Sequence, residues 1–150
     1  MKKRQQFETT RQIAALRPLQ LERARMDTLR VVQTFEHSVT QEQAVAANLD
    51  AHLDGWRNAL RTPSGFSPSL AANWAAAAAS VHAKHIQAQQ SMRDAAARVE
   101  QQRAEMTRHE QQAEHAKTGA ERARRQFERE RDEQHANRIE DMYLSQESRS

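Results

Sequence analysis

The sequence contains no cysteine, which excludes both a disulfide framework and a thiolate metal site. Only three glycines and three prolines punctuate its 150 residues, and aromatic residues make up 5% of the chain. No apolar run approaches the roughly twenty residues that a membrane-spanning helix needs, so we expect no direct membrane insertion. The basic start at Lys2, Lys3 and Arg4 is not followed by an apolar stretch, so we expect no secretory signal.

The residues that dominate the chain are Gln, Ala, Arg and Glu, a composition typical of a long helix or coiled coil. The hydrophobic share is 37%, and because much of it is alanine, a thick globular core is not expected. The net charge is only +3, and acids and bases interleave along the chain. This pattern is more typical of a solvated helix surface than of a phosphate-binding face.

Alternating steps of four and three residues run without interruption from Leu70 to Leu144. Such spacing predicts a helix, roughly 110 Å long at 1.5 Å per residue, that buries one narrow face against a partner helix. We call this set the main seam. Its members are Leu70, Trp74, Ala77, Val81, Lys84, Ala88, Met92, Ala95, Val99, Gln102, Met106, His109, Ala113, Ala116, Ala120, Ala123, Phe127, Glu130, Gln134, Asn137, Asp141 and Leu144.

A second apolar set, the first-helix stripe, precedes the main seam and carries larger side chains that can interdigitate with alanines. Its members are Leu19, Met26, Leu29, Val32, Phe35, Val39, Ala46, Leu49, Leu53, Trp56 and Leu60. Between the two sets, residues 61–69 hold two prolines and a glycine and predict a turn. Ser67 is the expected N-cap of the second helix, with Pro68 at its first position.

These patterns predict an all-α fold, a long antiparallel two-helix coiled-coil hairpin with an overhanging C-terminal helix. We expect one domain over residues 1–150, with helix 1 over about 5–61, a turn over 62–69, helix 2 over about 68–144 and a disordered tail over 145–150. Pro18 either starts helix 1 or kinks it, and we favour the kink.

The register of the predicted hairpin follows from its turn. With the turn centred near residue 65, residue n faces roughly residue 130 minus n. Phe7 then reaches Ala123, and Trp56, Trp74 and Phe66 form an apolar cluster beside the turn. Beyond about Ala123 helix 2 has no partner, so we expect that end to be frayed until a partner binds.

No catalytic constellation appears in the sequence: a Gly-rich phosphate loop, a nucleophile motif and a His-Glu-x-x-His pattern are all missing. We therefore expect a protein that is not an enzyme and that has no cofactor and no metal. His82 and His85 share a helix face, but a polar flank of an alanine-rich helix explains them better than a metal site. His109 is expected to be a polar seam position that helps to fix the register.

Basic residues concentrate where the two ends of the predicted hairpin meet. This concentration permits three interpretations: a solvated surface, an electrostatic contact with an acidic protein, or phosphate binding. Nucleic acid ranks lowest because aromatic stacking platforms and recognition motifs are missing, so we expect no nucleic-acid partner. The candidate partner-binding residues are Arg11, Arg17, Arg23, Arg30, Arg122, Arg125 and Arg129.

An Arg/Leu-rich first segment, residues 16–23, and a charged helix over residues 121–129 accompany the uneven hairpin and its Pro/Gly/Ser turn. Together with the length and the lack of cysteine, they resemble the FliJ/YscO family and its Hrp-system counterparts. These are small coiled-coil stalk proteins of bacterial type III secretion and flagellar export. The resemblance covers most of the chain.

The resemblance implies a non-enzymatic central stalk or adaptor protein, cytoplasmic and peripheral to the inner-membrane secretion apparatus. Its partners would be the hexameric secretion ATPase and the cytoplasmic domain of an export-gate membrane protein, and the arginines would face acidic loops of the ATPase. Some family members bind export chaperones. The chain would act as a monomer, in an injectisome or a flagellum.

Two alternatives follow from the residues themselves. One is a structural coiled coil that self-associates through the alanine seam of residues 113–123. The other, which we rank below it, is a basic coiled coil that binds nucleic acid and does so with a steep salt dependence.

Overall fold

The computed structural model describes residues 2–61, 63, 65 and 67–149. These residues form two α-helices and no strand: α1 spans Lys2–Leu60 and α2 spans Pro68–Glu147. Alanine, glutamine, arginine and glutamate are strong helix formers, which accounts for the length of both elements. The predicted all-α two-helix hairpin is confirmed.

The helix ends differ from the predicted ends by a few residues. α1 begins at Lys2 rather than near residue 5. α2 continues to Glu147, so residues 145–147 are helical where the sequence predicts a disordered tail. The Ser148 amide donates to the Leu144 carbonyl at 3.1 Å, which continues the helical bonding pattern by one residue.

α1 passes through Pro18. The interpretation in which the first helix starts at Pro18 is therefore wrong. Proline supplies no N–H to the carbonyl of Ala14, so one helical hydrogen bond is missing there. Contacts of the preceding segment with α2, described below, hold that segment in place despite the loss.

The turn joins the helices through a glycine in the left-handed region. Gly65 has φ of 106°, a conformation that L side chains rarely adopt. α2 then begins at Pro68, where a missing N–H costs nothing. The Ala71 amide donates to the Ser67 carbonyl at 3.0 Å and closes the first helical turn. Phe66, which the sequence places in an apolar cluster, lies outside the described residues.

The chain divides into two compact units, each an antiparallel pair of helix segments. The terminal unit comprises Met1–Arg25 and Glu105–Ser150, and the turn unit comprises Met26–Ala104. No described stretch of either helix is long and apolar enough to cross a membrane.

The core of the turn unit is built from small side chains. Ala59, Ala71, Ala78, Val81 and Val99 are buried, and no described residue with a large side chain is fully buried. Small residues at a helix contact let the two backbones approach closely.

One contact near the turn shows how close the two helices come. A Cβ atom added to Gly55 would lie 2.5 Å from Cζ3 of Trp74, so the indole ring rests directly on the glycine. The ring of His52 meets the same indole edge-on, with centroids 6.0 Å apart. Trp74 therefore packs on Gly55 and His52, where the sequence predicts Trp56 as its neighbour.

The α1 half of the packing corrects part of the sequence prediction. Phe35 and Val31 are half-buried on the side of α1 that faces α2. Seven residues before them on the same side lie Thr28 and Ala24, and both are buried. Small and polar residues thus occupy part of the contact face. The stripe members that are half-buried, as predicted, are Val32, Phe35, Val39, Ala46, Leu49, Leu53 and Trp56. The predicted members of the two sets that are exposed instead are Leu19, Met26, Leu29, Leu60, Leu70, Lys84, Gln134, Asn137, Asp141 and Leu144.

Specific side-chain contacts hold the terminal unit together. Arg17 Nη1 donates to Gln112 Oε1 at 3.1 Å. The rings of Phe7 and Phe127 stack 5.3 Å apart with planes 5° from parallel. Phe7 thus meets Phe127 rather than Ala123, one helical turn away, because stacked aromatic rings gain more than a ring against a methyl group.

Candidate interaction surface

Contact between the helices continues at least to Glu130, whose Oε2 lies 3.9 Å from Lys3 Nζ. The predicted limit at Ala123 is therefore too early by two turns. Every residue of 131–149 is exposed, and we call this stretch the terminal extension. Its first turn borders the start of α1, where Arg131 and Gln134 line a groove together with Arg4.

Large apolar side chains on the terminal extension are mostly exposed to solvent. Ile139 is 59% exposed, and Met142 and Tyr143 are each 65% exposed. They occupy positions i, i+3 and i+4, so they share one face of the helix. The sequence prediction missed this face because it followed the main seam, whose members here, Gln134, Asn137 and Asp141, are polar until Leu144. The i, i+3, i+4 spacing of Ile139, Met142 and Tyr143 in the sequence would have predicted this face.

The charge of the terminal extension is opposite to that expected. Residues 131–149 contain three arginines and five carboxylates, which gives a net charge of −2. The arginine-rich stretch predicted for this end, with Arg122, Arg125 and Arg129, lies just before the extension, beside α1. The structure thus orders the end of α2 as a basic stretch followed by an acidic one.

The three predicted arginines of α2 are available to a partner. Arg122, Arg125 and Arg129 are exposed, and none forms an ion pair with a described residue. Arg124 differs, since its Nε lies 3.8 Å from Oε1 of Glu128. A free guanidinium on a helix surface is suited to a bidentate contact with a carboxylate.

The predicted arginines of α1 have unequal surroundings. Arg17 is half-buried and its Nη1 donates to both Gln20 and Gln112, so it serves the helix contact. Arg30, in the turn unit, lies 4.0 Å from Asp27. Arg11 and Arg23 are exposed, and the structure describes no ion pair for either.

A polar pair within the turn unit has no counterpart in the sequence prediction. His85 Nε2 lies 2.8 Å from Glu42 Oε1, and both side chains are only 18% exposed. His82, predicted to share a face with His85, is exposed. Within the described part of the chain, no three His, Asp or Glu side chains come together as metal ligands.

His109 lies half-buried on the main seam, as the spacing predicts. Its Nδ1 is buried and has no hydrogen-bond partner among the described residues. An unsatisfied polar atom of this kind costs about 1–3 kcal/mol of stability. The seam therefore carries an energetic penalty at this position.

Comparison with family models, with curated proteins and with solved structures found no match to this chain. The resemblance to secretion stalk proteins therefore rests on the sequence features quoted above.

Proposed function

We propose that this chain is a non-enzymatic helical adaptor that binds a partner protein through its terminal unit. The observation that carries the proposal is the terminal extension, which presents Ile139, Met142 and Tyr143 to solvent on one helix face. An isolated helix of this length is marginal in water, so burial of its apolar face by a partner would stabilise it. A helix of this kind typically docks into a hydrophobic groove.

The finer proposal is a central stalk or adaptor of a bacterial type III secretion apparatus, cytoplasmic and peripheral to the inner membrane. The partner is then the hexameric secretion ATPase, which the adaptor couples to the export gate, and export chaperones are further candidate partners. Two features support this proposal. One is the resemblance of residues 16–23 and 121–129 to stalk proteins, and the other is the uneven two-helix fold.

Within that proposal, the arginines of α2 make the electrostatic contact. Arg122, Arg125 and Arg129 are exposed and unpaired, so acidic loops of an ATPase could pair with them at no cost to the fold. Arg17 differs, because its guanidinium already donates hydrogen bonds to Gln20 and Gln112 within the chain. We assign it to the helix contact rather than to the partner.

The arginine contact is tested by replacing Arg122, Arg125 and Arg129 with glutamine and measuring affinity for the purified ATPase of the same source. Loss of three charge-assisted contacts should weaken binding by at least about tenfold, which corresponds to 1.4 kcal/mol. The matched control replaces Arg93 and Arg98, which are exposed in the turn unit. Equal affinity of the triple variant and the wild-type chain would remove the arginines from the interface.

The alternative in which the chain self-associates through its alanine seam has less support. Ala113, Ala116, Ala120 and Ala123 are all half-buried within the terminal unit, so that face is already in use inside one chain. Nucleic-acid binding stays the lowest-ranked alternative, because the basic stretch of α2 continues directly into an acidic one.

A further inference from the structure

A second set of 4-3 steps runs along the last part of α2, one residue before each main-seam member from Ala116 to Leu144, and ends at Glu147. Because one residue turns the helix by about 100°, this set lies to one side of the face that contacts α1. Its first members, His115 and Gly119, border a groove that Thr10, Ile13 and Arg17 of α1 also line. All its members are exposed except Gly119, which is half-buried. We call it the outer seam, and its members are His115, Gly119, Arg122, Gln126, Arg129, Glu133, Ala136, Glu140, Tyr143 and Glu147.

The charges of the outer seam are ordered. Its first half carries Arg122 and Arg129, and its second half carries Glu133 and Glu140. None of these four side chains makes an ion pair or a hydrogen bond with another described residue. A seam that is basic at one end and acidic at the other is complementary to itself when two copies run antiparallel.

The spacing of these residues fits such a pairing about residue 131. Arg129 and Glu133 are each two residues from that point, and Arg122 and Glu140 are each nine residues from it. With the two-fold axis at residue 131, Arg129 faces Glu133 of the second copy and Arg122 faces Glu140. The axis repeats each pair, so four opposite-charge pairs form.

The packing of the outer seam fits the same register. Gly119 and Tyr143 are each twelve residues from residue 131, roughly 18 Å along the helix on either side. A Cβ at Gly119 would meet nothing within 4 Å, and a groove of about 570 Å³ opens beside the glycine. Tyr143 is 65% exposed. The largest exposed side chain of the outer seam therefore faces the position that has no side chain.

We propose that two copies of this chain associate antiparallel through the outer seam, with Tyr143 of each seated at Gly119 of the other. This inference goes beyond the proposed function and does not depend on it. The dimer covers Arg122 and Arg129, so it excludes any partner that needs those two arginines. The second copy is thus a competitor for the surface assigned to the adaptor's partner.

Reciprocal charge reversal tests the pairing. One variant carries Arg122→Glu and Arg129→Glu, and the other carries Glu133→Arg and Glu140→Arg. In each variant alone the facing residues have like charge, so self-association should weaken at least about tenfold. In the mixture all four facing pairs are opposite again, so a heterodimer should form. Sedimentation equilibrium from about 1 to 500 µM covers Kd values from micromolar to sub-millimolar.

The same experiment can overturn the proposal. A wild-type chain that stays monomeric over the whole range contradicts it. So do two variants that self-associate as the wild type does, or a mixture that stays monomeric while the wild type dimerises. Circular dichroism of each variant checks that its helix content is unchanged.

Disulfide trapping tests the register independently, since the chain has no cysteine of its own. Gly119→Cys mixed with Tyr143→Cys should give a mixed disulfide dimer under mild oxidation, whereas each variant alone should not. The matched control replaces Tyr143→Cys with Ser145→Cys, which lies two residues away on the opposite side of the helix. Equal yields from the two mixtures would contradict the outer-seam register.

Discussion

At the scale of single residues, two glycines in α-helices have opposite surroundings. Gly55 lies under the indole of Trp74, and three ring atoms would come within 3 Å of an added Cβ. Gly119 faces open space. The same substitution therefore has opposite expected effects at the two sites.

Gly55→Ala should destabilise the turn unit, because the added Cβ would lie within 3 Å of three atoms of the Trp74 indole, so the ring would have to leave its packed position. Overpacking of this kind lowers the free energy of unfolding by about 1–3 kcal/mol. This exceeds the stabilisation that the higher helix propensity of alanine provides. Gly119→Ala should be neutral or stabilising by up to about 1 kcal/mol. Urea unfolding followed by circular dichroism measures both, at protein concentrations low enough to keep the chain monomeric. Equal stability of the two variants would contradict the Gly55 contact.

The shielded pair of Glu42 and His85 should couple more strongly than an exposed ion pair. Hydrogen bonds in a partly desolvated site contribute about 0.5–1.5 kcal/mol, whereas exposed pairs such as Arg57 with Asp54 contribute about 0.2–1 kcal/mol at most. Double-mutant cycles to alanine on unfolding free energy compare the two. A smaller coupling for Glu42 with His85 would show that the helices do not meet there as described.

At the scale of the helices, the terminal extension differs from the paired part of α2. Residues 131–149 are wholly exposed, whereas Ala95 and Val99 are buried. Helical structure in the extension rests on local propensity and on weak charge pairs along the helix, which contribute only about 0.2–0.5 kcal/mol each. Such a stretch opens easily.

The amides of the terminal extension should therefore exchange with deuterium much faster than those of residues 90–104. Mass spectrometry at low micromolar concentration measures this difference for the free chain. Protection of the extension should rise as the protein concentration rises, because the outer seam includes Glu133, Glu140 and Tyr143. Equal protection of the two stretches in dilute solution would mean that the extension is not a free helix.

The sequence predicts α2 better than α1 for a physical reason. The main seam of α2 holds alanine, valine and methionine in unbroken 4-3 steps, and its members from Val99 to Phe127 lie half-buried or buried. Along α1 the predicted stripe members from Val32 to Trp56 are also half-buried, but nearer the N-terminus Ala24, Thr28 and Arg17 take the shielded positions while Leu19 and Leu29 are exposed. A search for large apolar residues therefore misses the small and polar contact positions of residues 17–28.

The candidate surface was predicted only in part, because it depends on where the pairing ends. A seam of repeated alanines fits several registers almost equally well, so a few specific contacts fix the register. The stacking of Phe7 on Phe127 shifts the register by one helical turn from the predicted contact of Phe7 with Ala123. With that shift, the part of α2 that carries Arg122, Arg125 and Arg129 lies alongside α1, and the acidic extension follows it.

At the scale of the whole molecule, the fold is all-α with two long helices, and its charges are ordered rather than uniform. Residues 2–25 carry seven bases and two acids, and residues 131–149 carry a net charge of −2. A partner of either charge sign would thus meet a matching surface in the terminal unit. This order suits an adaptor that binds acidic partner surfaces at its basic stretch and basic partner surfaces at its acidic stretch.

The most direct test of the proposed function is a binding titration of the full chain with the purified hexameric secretion ATPase of its source. We expect saturable binding with a Kd of about 1 µM or tighter, −8.2 kcal/mol or more favourable. Replacing Ile139, Met142 and Tyr143 with serine should weaken that binding at least about tenfold. Absence of saturable binding up to about 100 µM would contradict the stalk proposal, whatever the outcome for self-association.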